Sequence, residues 1–270
     1  MPGIHRTSNL AQRSFLFGTN DADTATTRLI ATAASATGFM KGEPGRAQAG
    51  WYQPGADNSA VLGALRDQLA LAYPAAGPAL WAVRLWTNLL WQPAYLSVIA
   101  VHLHGAVPDF GGLSQARSGI YIDRYRLVAA PMWSGPTEAM IERAAHQLSD
   151  MTQAMLREVN EVERLRLLPA QRLLADRMLG LMLWLGQRRR DLRQDQIEDF
   201  AGQWMSALQL SGQGTLQRVE AEGRSLLIVK RKSCCLDYLI DPTRLCANCP
   251  KQDDAVRINR QAANALAELG

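Results

Sequence analysis

The chain has 270 residues, 47% of them hydrophobic and 20% charged, which gives ample material for a buried core and argues against a disordered polymer. Its 29 Lys and Arg against 25 Asp and Glu leave a formal net charge of +4, scattered along the chain. With no basic stripe and no interleaving of aromatic and basic side chains, nucleic acid is not an expected partner.

Residues 1–20 mix His5, Arg6 and Arg13 with Ser14, Leu16 and Phe17 and lack the continuous apolar stretch of a secretory signal, so a cytoplasmic location is expected. Residues 1–56 read as loosely organised, because Gly38, Gly42, Pro44, Gly45, Gly50, Pro54 and Gly55 punctuate their second half. A helix follows. Asp57, Asn58 or Ser59 can cap it, Val61, Leu62, Leu65, Leu69 and Tyr73 recur at helical spacing, and Pro74 stops it.

A second helix over 79–90 brings Trp81, Trp86 and Trp91. The most apolar run, 89–101, is broken by Gln92 and Pro93 and falls short of the roughly 20 residues that span a bilayer, so it reads as core. No transmembrane segment is expected, only transient association with a membrane.

Over 107–131 the turn-rich Pro108-Asp109-Phe110-Gly111-Gly112 precedes Ile120, Tyr121, Ile122, Tyr125, Leu127 and Val128, the pattern of a hairpin. From Thr137 the helical period resumes with Met140, Ile141, Ala144, Ala145 and Leu148, and Ser134 with Glu138 suggests an imperfect capping box. Pro169 divides the helical region. The run Leu173, Leu174, Arg177, Met178, Leu181, Met182, Leu185 then forms an amphipathic face that ends in Arg188-Arg189-Arg190, cations suited to a last helical turn or, alternatively, to an anion or partner site.

From Ser211 the composition changes. Gln217 to Val219, a Glu222-Gly223 turn and Leu226 to Val229 form a second hairpin that runs directly into the cysteines, and Asp253 or Asp254 can cap a last helix carrying Val256, Ala263 and Leu266. The expected fold class is α+β: a predominantly α-helical body with β-hairpins over 1–210, and a small cysteine-rich segment over 211–270.

All four cysteines lie in that segment, at Cys234, Cys235, Cys246 and Cys249, spaced C-C-x10-C-x2-C after 233 residues without one. In a reducing compartment such a group binds metal or does redox chemistry more often than it forms structural disulfides. Four thiolates suit an iron-sulfur cluster, a zinc ion or a redox switch. Adjacent side chains on an extended backbone point to opposite faces, so the vicinal Cys234-Cys235 pair favours a polynuclear core over one zinc tetrahedron. Lys230, Arg231, Lys232, Arg244 and Lys251 flank the ligands and offer positive charge to an anionic cluster, substrate or partner; alternatively, Lys230 and Lys232 simply alternate on a solvated strand.

The stretch Lys230-Arg231-Lys232-Ser233-Cys234-Cys235 followed by Cys246-Ala247-Asn248-Cys249-Pro250 resembles the C-terminal signature of the bacterial FhuF-type siderophore-iron reductases. The resemblance covers about residues 215–252. It implies a 2Fe-2S cluster on Cys234, Cys235, Cys246 and Cys249, and one-electron reduction of ferric iron in a siderophore. No G-x-G-x-x-G follows a strand and opens a helix, so neither nicotinamide nor flavin binding is expected. An external electron donor, a ferredoxin or a reductase, is therefore implied.

Two other readings remain: a structural zinc site in a binding or regulatory module, and an iron-sulfur redox sensor. His102 and His104, with Asp109, are weighed as metal or pocket residues against helix-end or core histidines, His146 as an ordinary helix residue, and the three tryptophans as core against an aromatic binding wall.

Overall fold

The computed structural model describes residues 21–269. Its elements in chain order are helix α1 (Asp21–Thr37), strand β1 (Lys41–Pro44), helices α2 (Ser59–Ala72) and α3 (Gly77–Ile99), strands β2 (Ser114–Ser118) and β3 (Tyr121–Leu127), helices α4 (Thr137–Val162), α5 (Leu167–Arg188) and α6 (Gln194–Ala207), strands β4 (Gly214–Ala221) and β5 (Arg224–Arg231), and helix α7 (Asp254–Leu269). This is an α+β fold with a helical body, as expected.

Helix α1 corrects the expectation that 1–56 is loosely organised. The glycines and prolines behind that expectation all lie after Thr37. Before them an Ala- and Thr-rich run buries only Thr26, Leu29, Ile30 and Ala33, too few large apolar groups to announce a helix. The expectation about a leader in 1–20 falls outside the described residues.

Helix α3 runs on past residue 90 and through Pro93 to Ile99. Proline lacks the N–H that would have bonded the Leu89 carbonyl one turn back. The buried Gln115 side chain supplies the missing donor, with Nε2 to Leu89 O at 3.0 Å and to Gln92 Oε1 at 2.9 Å. A strand residue thus repairs the helix, and the apolar run is core: Leu89, Leu90, Ala94, Leu96, Val98 and Ile99 are all buried. Beyond it the turn widens to a π-helix over Ala100–His104, closed by Gly105 at φ 79°. Among the described residues no helix is long and apolar enough to cross a membrane.

The expected first hairpin forms as β2 antiparallel to β3, and β1 adds in parallel on the other side of β3. Gly42 faces Tyr125 there, where an added Cβ would come within 2.2 Å of the ring. Two capping expectations resolve differently. Asn58 precedes α2 without capping it, because its side chain is spent on Gln53 and Glu158. Ser134 makes no capping box either: α4 starts after Pro136 with no side-chain cap.

The second hairpin, β4 with β5, turns at Glu222 and Gly223, both at positive φ, as a two-residue loop requires. It lies on α5, where Gly214 approaches Leu179 closely enough that a Cβ would stand 2.9 Å from its Cδ1. Helix α7 closes over β5, Gln261 Oε1 accepting from Val229 N at 3.2 Å. The segment that follows β5 is therefore delivered to the middle of α5, at Asp176.

Candidate functional site

Strand β5 ends at Arg231 and passes Cys234 and Cys235 into a tight reversal. Leu236 adopts φ 63°, and a 3-10 turn over Asp237–Leu239 follows. Asp241 then builds an Asx turn, its Oδ1 accepting from Thr243 N at 3.0 Å and Thr243 Oγ1 at 2.6 Å. A last turn joins Cys249 N to Cys246 O at 3.0 Å, and Gln252 Nε2 pins the same carbonyl at 2.7 Å. Asp253 Oδ1 accepts from Ala255 N at 2.8 Å and so caps α7, one of the two caps expected.

These turns gather all four thiols, none of them in a disulfide. Cys249 is buried and the other three half-buried. Cys235 Sγ and Cys246 Sγ lie 3.8 Å apart. With metal–sulfur bonds of about 2.3 Å in a tetrahedral site, two thiolates on one metal stand about 3.8 Å apart, so this pair already has the separation of co-ligands. Among the described residues, no three His, Cys, Asp or Glu side chains are drawn up to the spacing of a single-ion cage.

Cys235 is held far below the usual thiol range, first by the neighbouring Cys234 and Cys246 thiols and then by the Asp237 amide and Arg231. Cys234 and Cys246 are pushed up, by sharing with Cys235 first and by burial second. A set of thiols in which one thiolate suppresses ionisation of its neighbours is one that a cationic metal core would discharge. The residues present therefore fit a thiolate-ligated cluster.

Behind the thiols stands a buried ion pair. Arg231 Nε donates to Asp176 Oδ2 at 3.0 Å, and the side chains are only 10% and 8% exposed. The Arg231 Nη1 group donates to Asn248 Oδ1 at 3.2 Å and points at Cys246 Sγ, 3.9 Å away. Burial, working against Arg231, raises Asp176 to about 6. Asp176 was not among the residues singled out from the sequence. The available signal was an acid embedded in the apolar run from Leu173 to Leu185.

The other flanking cations divide. Lys232 Nζ donates to Gly212 O at 2.7 Å, Lys230 sits 3.9 Å from Asp254, and Lys251 lies over the Tyr238 ring. Arg244 instead lines a cavity of about 780 Å³ that also contains Cys246, Arg84 and Arg260. A second cavity of about 450 Å³ lies against Ala247 and Asn248, between α5, β5 and α7.

His102, His104 and His146 make their contacts away from this site. His102 is buried against α6, its Nε2 accepting from Trp204 Nε1 at 2.9 Å, and burial followed by Arg189 lowers its pKa to about 4. His104 is half-buried, and burial lowers its pKa as well, with Arg28 adding to the effect. His146 is exposed beside Asp150, and Asp109 caps the 3-10 turn through Gly111 N. The tryptophans serve the body: Trp86 Nε1 donates to Ala170 O, Trp81 Nε1 to Tyr73 O and Trp91 Nε1 to Ile122 O. Of the arginine run, Arg188 covers the Trp184 ring, and Arg189 bridges Asp191 and the His102 carbonyl.

The family model of the FhuF 2Fe-2S C-terminal domain matches residues 231–251, the stretch that holds all four cysteines and Arg231. No solved structure matches the chain.

Proposed function

We propose that this chain, whose C-terminal segment is a FhuF-type 2Fe-2S domain, reduces ferric iron held in a siderophore to ferrous iron in the cytoplasm. Cys234, Cys235, Cys246 and Cys249 are assigned as the cluster ligands, with Cys235 and Cys246 as co-ligands of one iron on the strength of their 3.8 Å separation. When bound, the 2Fe-2S centre carries one electron at a time, taken from an external donor, a ferredoxin or a reductase, and given to ferric iron, which becomes ferrous.

The protein's own residues hold the donor set and leave one side of it open. Asp176 fixes Arg231, Arg231 and Gln252 fix the Cys246–Cys249 turn, and Arg231 places positive charge beside Cys246. The observation that carries the reading is that Cys246 belongs both to the thiol group and to the wall of a cavity large enough for a chelated metal. The siderophore's oxygen donors hold ferrous iron far more weakly than ferric iron, so one electron suffices for release, and capture of the ferrous product pulls the transfer forward.

Anaerobic purification with iron, sulfide and zinc assays, followed by one-electron reduction and mixing with a panel of ferric siderophores, tests the proposal. Reoxidation of the visible chromophore with release of one ferrous iron per protein is expected. A colourless protein holding one zinc and no sulfide overturns it in favour of the structural zinc reading. A cluster that stays reduced in the presence of every ferric siderophore, while binding of a partner follows its redox state, overturns it in favour of the sensor.

A further inference from the structure

The loop Cys246-Ala247-Asn248 separates two cavities of opposite character. The smaller, of about 450 Å³, is walled by Leu183, Leu192, Ile197, Leu226 and Ile228, carries Glu268, has no Lys or Arg in its lining, and reaches the loop only at Ala247 and Asn248. The larger, of about 780 Å³, is lined by Arg84, Arg244 and Arg260 together with Asp237 and Asp241, and it alone contains a cysteine, Cys246.

The carboxylates of the larger cavity are already engaged. Asp237 pairs with Arg84 at 2.7 Å, and Asp241 accepts from Thr243 while its charge also feels Arg244. Arg260 leans on two neutral acceptors, Leu245 O at 2.8 Å and the Gln252 amide oxygen. Arg244 makes no side-chain hydrogen bond or ion pair among the described residues. The guanidinium groups of Arg244 and Arg260 therefore face this space without a direct ion pair among the described residues, and three arginines against two carboxylates leave the lining with surplus positive charge beside Cys246.

We propose that this cavity is the substrate site and that it selects an anionic ferric chelate, recognised through its negatively charged oxygen donors by Arg244 and Arg260. Three dianionic catecholates leave ferric iron with net negative charge, whereas three monoanionic hydroxamates leave it neutral. A guanidinium offers a planar fork of donors to such oxygens, and the field of a lining in which arginines outnumber carboxylates raises the local concentration of an anion. The apolar cavity offers a neutral chelate greasier walls but no cysteine. Placement beside Cys246 keeps the bound iron close to the electron source. This inference rests on the reductase reading, and its test separates the two.

Calorimetric titration of the cluster-loaded protein with a gallium(III) tris-catecholate chelate, which binds like ferric iron but accepts no electron, reads the site alone. The anionic gallium chelate should bind more tightly than a neutral gallium trihydroxamate and should weaken as salt rises. Arg244→Gln should weaken it roughly threefold to tenfold, the range for one partly exposed charge contact, Arg244→Glu should weaken it further, and Arg244→Lys should restore most of the affinity. Unchanged visible absorption in these variants verifies that the fold and cluster survive. Equal or tighter binding of the neutral chelate, no binding of either, or affinities indifferent to Arg244 overturns the inference. If gallium binding follows Arg244 but the reduced protein gives no electron to the ferric equivalent, the site stands and the reductase reading falls. If ferric chelates reoxidise the protein regardless of Arg244, the reductase reading stands and this site falls.

Discussion

Arg231 Nε and Asp176 Oδ2 meet at 3.0 Å in an almost solvent-free junction between β5 and α5, and the same guanidinium reaches Cys246 and Asn248. Removing one member leaves the other buried and unpaired, which costs about 3–5 kcal/mol. Asp176→Ala and Arg231→Met should each lower the denaturation midpoint of the protein strongly, and the double variant should lose less than the sum of the two. Additive losses in a double-mutant cycle would show that the pair is not coupled.

In the proposed cluster, Arg231 would also act on the electronics of the site through Cys246. An N–H directed at a ligand sulfur stabilises the extra negative charge of a reduced cluster. Arg231→Gln should shift the midpoint potential downwards by about 40 mV, corresponding to roughly 1 kcal/mol for one weak charge-assisted contact. Protein-film voltammetry measures this directly, and an unchanged or higher potential would sink the assignment.

Two buried groups give opposite pH dependences over one window. Asp176, raised from its ordinary value of 3.8 to about 6, binds a proton more readily folded than unfolded. Its contribution to stability is full below pH 4 and is lost as pH rises through 6. His102, lowered from 6.5 to about 4, behaves the other way: its contribution is present above pH 6.5 and is lost as pH falls through 4. Each amounts to about 3 kcal/mol at most, so the two largely cancel in the native protein. Asp176→Asn should make stability climb more steeply from pH 4 to 6.5, and His102→Gln should make it fall across the same range. Urea unfolding at a series of pH values reads both slopes.

Much of this was legible in the sequence because it rests on periodicity and on rare residues. The core faces of α2, α4 and α5, both hairpins and the cysteine group follow from spacing alone. What stayed hidden depends on partners distant in the chain. Nothing local reveals that Gln115 will satisfy the carbonyl that Pro93 leaves free, or that Asn58 will turn from its helix to Glu158, 100 residues away. Asp176 looks like a surface acid until Arg231 is placed against it. Arg84 and Arg260 are likewise unremarkable until folding brings α3 and α7 to the walls of the cavity that Cys246 shares.

Glu158 offers a test of the body without touching the cysteines. Its carboxylate is buried, and it accepts from Tyr52 Oη, from Gly55 N at 2.7 Å and from Asn58 Nδ2 at 3.1 Å, tying the loop before α2 to α4. Glu158→Ala takes the acceptor from the buried Tyr52 hydroxyl and from the Gly55 amide, while Asn58 Nδ2 keeps Gln53 O and Ala56 O, at a cost of about 2 kcal/mol. Thermal unfolding should show that loss, while iron content and visible absorption per folded protein stay unchanged. Loss of the chromophore from folded protein would instead tie this network to the cluster.

The ligand assignment makes the sharpest contrast. Cys246→Ser replaces a soft sulfur with a harder oxygen donor at the sulfur that stands 3.8 Å from Cys235 and lines the open cavity. The variant should purify with little or no iron and sulfide and should not reduce ferric chelates. Its fold should remain, because the helical body packs without the cysteines: the core around Leu89, Met155, Leu185 and Trp204 lies elsewhere. His104→Ala, remote from the thiols and half-buried at the π-turn, should leave the chromophore untouched. A full iron and sulfide complement with retained activity in Cys246→Ser would remove this cysteine from the ligand set, and a bleached His104→Ala would put a histidine in its place.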